Sequence, residues 1–223
     1  MDLQILIALF VLLLSLVVHE SAHAYAALRL GDDTALRMGR LTLNPMAHLD
    51  PVGSILFPVM GLLLGGFVIG WAKPVPVNTM RLNNPLRDHA IVAAAGPASN
   101  LLLALVSAIM LGIVAAIAHG TGATGTGNGL MFLSLLFSLG IKLNVLLALF
   151  NLIPVPPLDG SWILLTFLRG EAMRFYIRLR PYGFMIILLL LFTGSLRVVL
   201  GPAMDMVGGT YDRITFFVYG LFS

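Results

Sequence analysis

Polar and apolar positions along this 223-residue chain fall into long apolar runs divided by short polar stretches, with little of the alternation that marks a half-buried helix or strand. An apolar run of about 20 residues spans a hydrocarbon core about 30 Å thick, because an α-helix rises 1.5 Å per residue. The run that begins at Leu3 and passes through Val18 predicts a first span. Ile91 to Ala118 is the longest uncharged segment and predicts a second. Leu130 to Phe150 and Tyr182 to Leu200 predict two more. The stretch from Ile55 to Trp71 is also apolar, but Pro58, Gly61, Gly65 and Gly66 break it, and it is read as re-entrant.

The polar stretches predict the connections. Gly31 to Asn44 carries turn signals at Gly31-Asp32-Asp33 and Gly39, with partial alternation around Arg40-Leu41-Thr42-Leu43, and is read as a short β-hairpin at the membrane edge. Pro74, Pro76 and Pro85 favour extended or turn conformations in the connector that follows Trp71. His119 to Gly129 is a Gly/Thr linker. In Asn151 to Gly160, NLIPVPPLDG, three prolines end regular helix. A short helix is expected over Ser161 to Leu168 and a basic loop over Arg169 to Pro181. The chain therefore reads as an all-α polytopic membrane protein of four to six membrane segments, with the hairpin and the re-entrant segment beside the functional site. Residues 1–203 form one membrane-embedded domain in this reading, and 204–223 a tail at the interface.

Composition agrees and narrows the chemistry. Hydrophobic residues make up 59% of the chain and charged ones 10%, far below the roughly 25% charged of a soluble domain. The formal charge of +3 is small, no nucleic-acid partner is expected, and the partner implied by composition is the lipid bilayer. The chain has no cysteine, which removes disulfides and thiolate metal sites and leaves His, Asp and Glu as ligands. Asp2 stands where a secretory signal would carry Lys or Arg, so the first run is read as a span. Basic residues cluster at Arg29, Arg37 and Arg40, at Lys73, Arg81 and Arg87, and at Arg169, Arg174, Arg178 and Arg180. All three groups lie on the cytoplasmic side if the first span runs inward and 55–71 returns without crossing.

Chemistry concentrates in VVHESAHAY, Val17 to Tyr25. On a helix, His19 and His23 stack on one face and are able to share one Zn²⁺, with Glu20 beside it as general base. Glu20 and Asp159 are the two acidic residues embedded among apolar neighbours, and an ionisable group at membrane depth is a functional candidate by default. Asp159 offers a third ligand, which leaves a fourth position open for water, as in catalytic zinc sites. His19 lies about 16 residues, or roughly 24 Å, along its helix and Asn151 about 21 residues, or roughly 31 Å, along its own, so both are expected in the cytoplasmic third. His48, beside Pro51, is read as a loop or capping residue, with shielding or replacing a ligand as the alternative. Asn100 is left between a structural and a functional role, and Lys142, within a span, has no assigned one.

HESAH at 19–23, GPASN at 96–100 and NLIPVPPLDG at 151–160, in that order, resemble the site-2 protease family of intramembrane zinc metalloproteases. The resemblance covers about residues 1–170 and is to a compact subgroup without a PDZ domain. It implies one Zn²⁺ per chain held by His19, His23 and Asp159, Glu20 as catalytic base, and Asn151 binding substrate or stabilising the oxyanion. It further implies a transmembrane protein as substrate, cut within or near its membrane helix during regulated intramembrane proteolysis, and a multi-pass location in the cell membrane. A transporter or metal-ion carrier using the same buried ligands is the alternative.

Overall fold

The computed structural model describes residues 3–50, 73–121 and 128–223. Among these residues every regular element is helical. Four stretches are long and apolar enough to cross a membrane: Leu3–Arg29, Pro85–Gly120, Gly129–Asn151 and Gly170–Phe192. The first is helix α1 (Leu3–Arg29). A single helical turn, α2 (Thr34–Arg37), follows, then α3 (Pro85–Gly120) and α4 (Asn128–Asn151). The Pro-rich break leads into α5 (Gly160–Leu165), α6 (Gly170–Leu179), α7 (Gly183–Phe192) and α8 (Ser195–Phe222).

Helix α3 is the centre of the bundle, in contact with α1, α4 and α8. Small residues let the backbones approach, as membrane helix packing requires where lipid supplies no hydrophobic drive. A Cβ at Gly140 of α4 would lie 2.5 Å from Ser107 Oγ of α3, and one at Gly112 of α3 would lie 2.6 Å from the Thr215 carbonyl oxygen of α8. Ala104, Ala108, Ile141 and Val145 form a buried cluster here, with Met204, Val207, Tyr211 and Ile214 of α8 packed against it. Tyr211 donates to the Leu101 carbonyl at 2.9 Å and Thr215 to the Ala108 carbonyl at 3.1 Å. The order of these contacts makes α8 parallel to α3, whereas Asn100 bonding to Asn144, and Ser107 abutting Gly140, make α4 antiparallel to it.

Several expectations change. The hairpin expected over Gly31–Asn44 is not formed. Asp32 accepts from the backbone N–H and the hydroxyl of Thr34 and starts α2 instead. The Thr42 carbonyl, which a ladder would need, is taken by the Ser21 hydroxyl at 2.8 Å and by His48 Nε2 at 2.8 Å. The span expected over Tyr182–Leu200 is interrupted at Gly194, whose φ of 73° closes α7 before α8 begins. The basic loop expected over Arg169–Pro181 contains α6, an amphipathic helix with Arg174 and Arg178 exposed. Tyr176 of α6 donates to the Pro154 carbonyl, and Gly183, where α7 starts, packs on Pro156. At its other end α7 brings Leu191 beside Leu146 and Leu200. Helix α8 runs through position 203 and packs lengthwise on α3. The second span begins at Pro85, six residues before Ile91. The re-entrant segment expected over 55–71 lies outside the described residues.

Candidate metal centre

Four residues apart on α1, His19 and His23 present their rings to the same face, and the neighbouring helix determines which nitrogen each offers. Asn100 Nδ2 donates to Asn144 Oδ1 at 2.9 Å, and Asn144 Nδ2 donates in turn to the Gly140 carbonyl at 2.8 Å. Asn100 therefore turns its oxygen toward His19 Nδ1, 2.6 Å away, which must donate to it. His23 Nδ1 donates to the Val92 carbonyl at 2.7 Å. With both Nδ1 atoms acting as donors, a neutral ring leaves its Nε2 as a bare lone pair.

These two Nε2 atoms stand 2.9 Å apart. Asp159 Oδ2 lies 3.2 Å from the first and 3.4 Å from the second. Although buried, it receives no hydrogen bond. Three electron-rich atoms converging away from water repel one another unless a cation lies between them. Ligands on a tetrahedral Zn²⁺ at about 2.0–2.1 Å stand about 3.3 Å from each other, so the donor set and its spacing fit that ion. The outer bonds from Asn100 and Val92 are of the kind that fix a ligating imidazole.

Two local features of the sequence make the convergence possible. Gly96 on α3 lies against the rings: a Cβ there would sit 2.5 Å from Cε1 of both His19 and His23. Any side chain at 96 would displace them. After α4 ends at Asn151 the chain folds back on itself, with Val155 N–H bonded to Ile153 and Leu158 N–H to Val155, and a cis bond between Pro156 and Pro157. Gly160 then packs on the Leu152 carbonyl, where a Cβ would lie 2.2 Å from the oxygen. This reversal returns Asp159 to the level of the histidines.

Glu20 and Asn151 line the same cavity, of about 330 Å³, as His19, His23 and Asp159. Asn151 Nδ2 bonds back to the Leu147 carbonyl at 2.9 Å. Glu20 Oε2 accepts the backbone N–H of Val75 at 2.9 Å. Residues 73–77 have no regular structure, and neither Pro74 nor Pro76 has an N–H, so Val75 is the donor between them. The strap is tied at both ends: Lys73 N–H to the His48 carbonyl at 2.8 Å and Asn78 N–H to Asp32 Oδ2 at 2.6 Å. Asp32 is fully buried.

The structure thus brings all five sequence-predicted residues to one cavity. Asn100 joins them behind His19. His48 is not at the centre; it caps the turn Pro45–Ala47 and is buried against Thr42. Lys142 is exposed on the outside of α4. Sequence reasoning missed Asn144, although a polar residue seven positions before Asn151 falls on the same helix face. It also missed the carbonyl of Val92 and the N–H of Val75, because backbone groups leave no compositional trace. A stack of His89, Trp162 and Arg180, each 3.7 Å from the next, was likewise not foreseen.

Comparison with known proteins agrees with this geometry. Residues 7–193 match the family model described as Peptidase family M50. The chain is 40% identical over 194 residues to the Bacillus subtilis protein named "Putative zinc metalloprotease YwhC", covering 87% of this chain and 84% of that one. It is 35% identical over 185 residues to a Mycolicibacterium smegmatis protein named "Putative zinc metalloprotease Rip2", covering 82% and 66%. A Mycobacterium tuberculosis protein of the same name is 31% identical over 184 residues, again covering 82% and 66%. No solved structure matches the chain.

Proposed function

The chain belongs to peptidase family M50, the site-2 proteases, and is a zinc metalloprotease; on that premise we propose that it hydrolyses a peptide bond within or beside the transmembrane helix of a membrane-protein substrate. His19 Nε2, His23 Nε2 and Asp159 Oδ2 hold the zinc ion in this reading, with Asn100 and Val92 fixing the two rings. Zinc held there would supply Lewis acidity toward the scissile carbonyl and toward a water molecule whose proton it would make easier to remove. Glu20 takes that proton and delivers it to the leaving amine. The Asn151 amide, which lines the same cavity, holds the substrate backbone or the developing oxyanion in this reading.

A helical substrate hides its peptide bonds in i to i−4 hydrogen bonds, so it must be unwound before attack. Lys and Arg distribution supports an active site near the cytoplasmic face of the cell membrane, with the lipid bilayer as the second partner. A carrier reading is set aside by the family to which the chain belongs.

The observation that carries the proposal is the convergence of two lone-pair nitrogens and an unpartnered carboxylate oxygen beside Glu20. Its test compares wild type with Glu20→Gln for zinc content and for cleavage of a membrane-embedded reporter. Cleavage is expected to fall by at least about 10²-fold, the contribution of a general base, with zinc retained. Undiminished cleavage by Glu20→Gln would remove this residue from the mechanism.

A further inference from the structure

Two helices end up with unpaired charges on the outside of the bundle at the same depth. Lys142 of α4 and Asp212 of α8 are both exposed, and among the described residues neither forms an ion pair. Their depths follow from contacts with α3. Gly140 abuts Ser107 and Asn144 bonds Asn100, so Lys142 is level with about residue 103 or 104 of α3. Thr215 bonds the Ala108 carbonyl and α8 runs parallel to α3, so Asp212, three residues earlier, is level with about residue 105. At 1.5 Å per residue the two differ in depth by about 3 Å.

That level is the middle of the uncharged stretch 91–118 of α3 and, about four residues or 6 Å beyond Asn100, lies deeper in the hydrocarbon core than the metal centre. A lysine side chain reaches too short a distance to bring its ammonium to the headgroups from there. Such charges in membrane segments are almost always paired or turned to a bundle interior.

The two residues also face the same side. Leu146, one turn from Lys142 on α4, lines an apolar groove together with Gly201 and Met204 of α8. From that groove Lys142 continues the α4 stripe. Gly201, Asp205, Gly208 and Asp212, spaced four, three and four residues apart, continue the α8 stripe. Added Cβ atoms at Gly201 and Gly208 meet nothing within 4 Å, so the α8 stripe is open to close approach by another helix.

We infer that this α4–α8 face is the contact surface between two copies of the chain, in which Lys142 of each copy pairs with Asp212 of the other. Charge complementarity and depth select a second copy as the occupant. A two-fold axis along the bilayer normal returns every residue to its own depth, so a self-complementary pair must lie at one level, as these two do.

Because the chain has no cysteine, the test uses singly substituted copies. Lys142→Cys and Asp212→Cys chains with different tags are co-expressed and oxidised in native membranes; the reciprocal Lys142–Asp212 pair remains to hold them together. A disulfide-linked species carrying both tags is expected. Leu102→Cys on the lipid-facing side of α3, 61% exposed, co-expressed with Asp212→Cys, is expected to give none. Without cysteines, Lys142→Asp is expected to reduce the dimer fraction in lipid nanodiscs at least tenfold, and Lys142→Asp with Asp212→Lys to restore it. Zinc content, which neither residue touches, reports that each variant is folded, and Lys142→Met serves if the reversal fails that check. Monomers throughout, cross-links to a protein of another mass, equal cross-linking through Leu102→Cys, or no recovery in the double reversal would each overturn the inference.

Discussion

His19 Nδ1 and Asn100 Oδ1 stand 2.6 Å apart between α1 and α3, and the donor role this bond gives Nδ1 decides which nitrogen of His19 faces the ligand position. Asn100→Leu removes the acceptor while keeping the volume. Zinc affinity is expected to fall by about 10–100-fold, the usual cost of losing an outer partner. Asn100→Asp, which keeps an oxygen there, is expected to lose less. Competition with a chelator of known affinity measures both.

Gly96→Ala places a methyl carbon 2.5 Å from ring carbons of both histidines. Either the rings leave their positions or α1 and α3 separate. Overpacking of this kind costs about 1–3 kcal/mol, and zinc content is expected to fall with stability. A variant with full zinc occupancy and an unchanged melting temperature would refute the close contact.

Asp159→Asn keeps the shape of the third ligand and removes its charge. The two bare Nε2 atoms then lose the anionic member of the set, and zinc is expected to be lost on dialysis. Glu20→Gln is expected to retain it, so zinc content separates a ligand from a base.

Chelation of wild-type protein should lower its melting temperature, because the converging His19, His23 and Asp159 atoms are left to repel one another. Re-adding zinc at about 100 times its Kd is expected to restore roughly 2.7 kcal/mol. Thermal unfolding with and without chelator reads this directly.

Asp32→Ala removes the acceptor of the Asn78 and Thr34 N–H groups. Each part-buried hydrogen bond to this carboxylate contributes about 1.5–3 kcal/mol. The strap over Glu20 loses one of its ties, so faster proteolysis between residues 73 and 78 is expected along with reduced stability.

Much of the site was legible because its chemistry depends on side-chain identity at fixed spacing. His19, Glu20 and His23 declare themselves by helical periodicity, and Asp159 by its cost among apolar neighbours. The level predicted for Asn151 from helix rise agrees with its place in the cavity beside them. Failures arose where an outcome depends on partners. Arg40 to Leu43 alternates like a strand, but Ser21 and His48 claim the carbonyl of Thr42. Tyr182 to Leu200 is apolar enough to span, yet Gly194 adopts a positive φ and turns the chain. Arg169 to Pro181 appeared loop-like through its charge, although its apolar residues recur at the helical period. Residues 204–223 read as a tail at the interface; the packing of α8 became visible only against α3.

Helix α4 reaches the paired imidazoles by two routes, through Asn144, which braces Asn100 behind His19, and through the reversal after Asn151 that carries Asp159 to their Nε2 atoms. A slide or tilt of this one rod would slacken the brace and withdraw the carboxylate in the same movement.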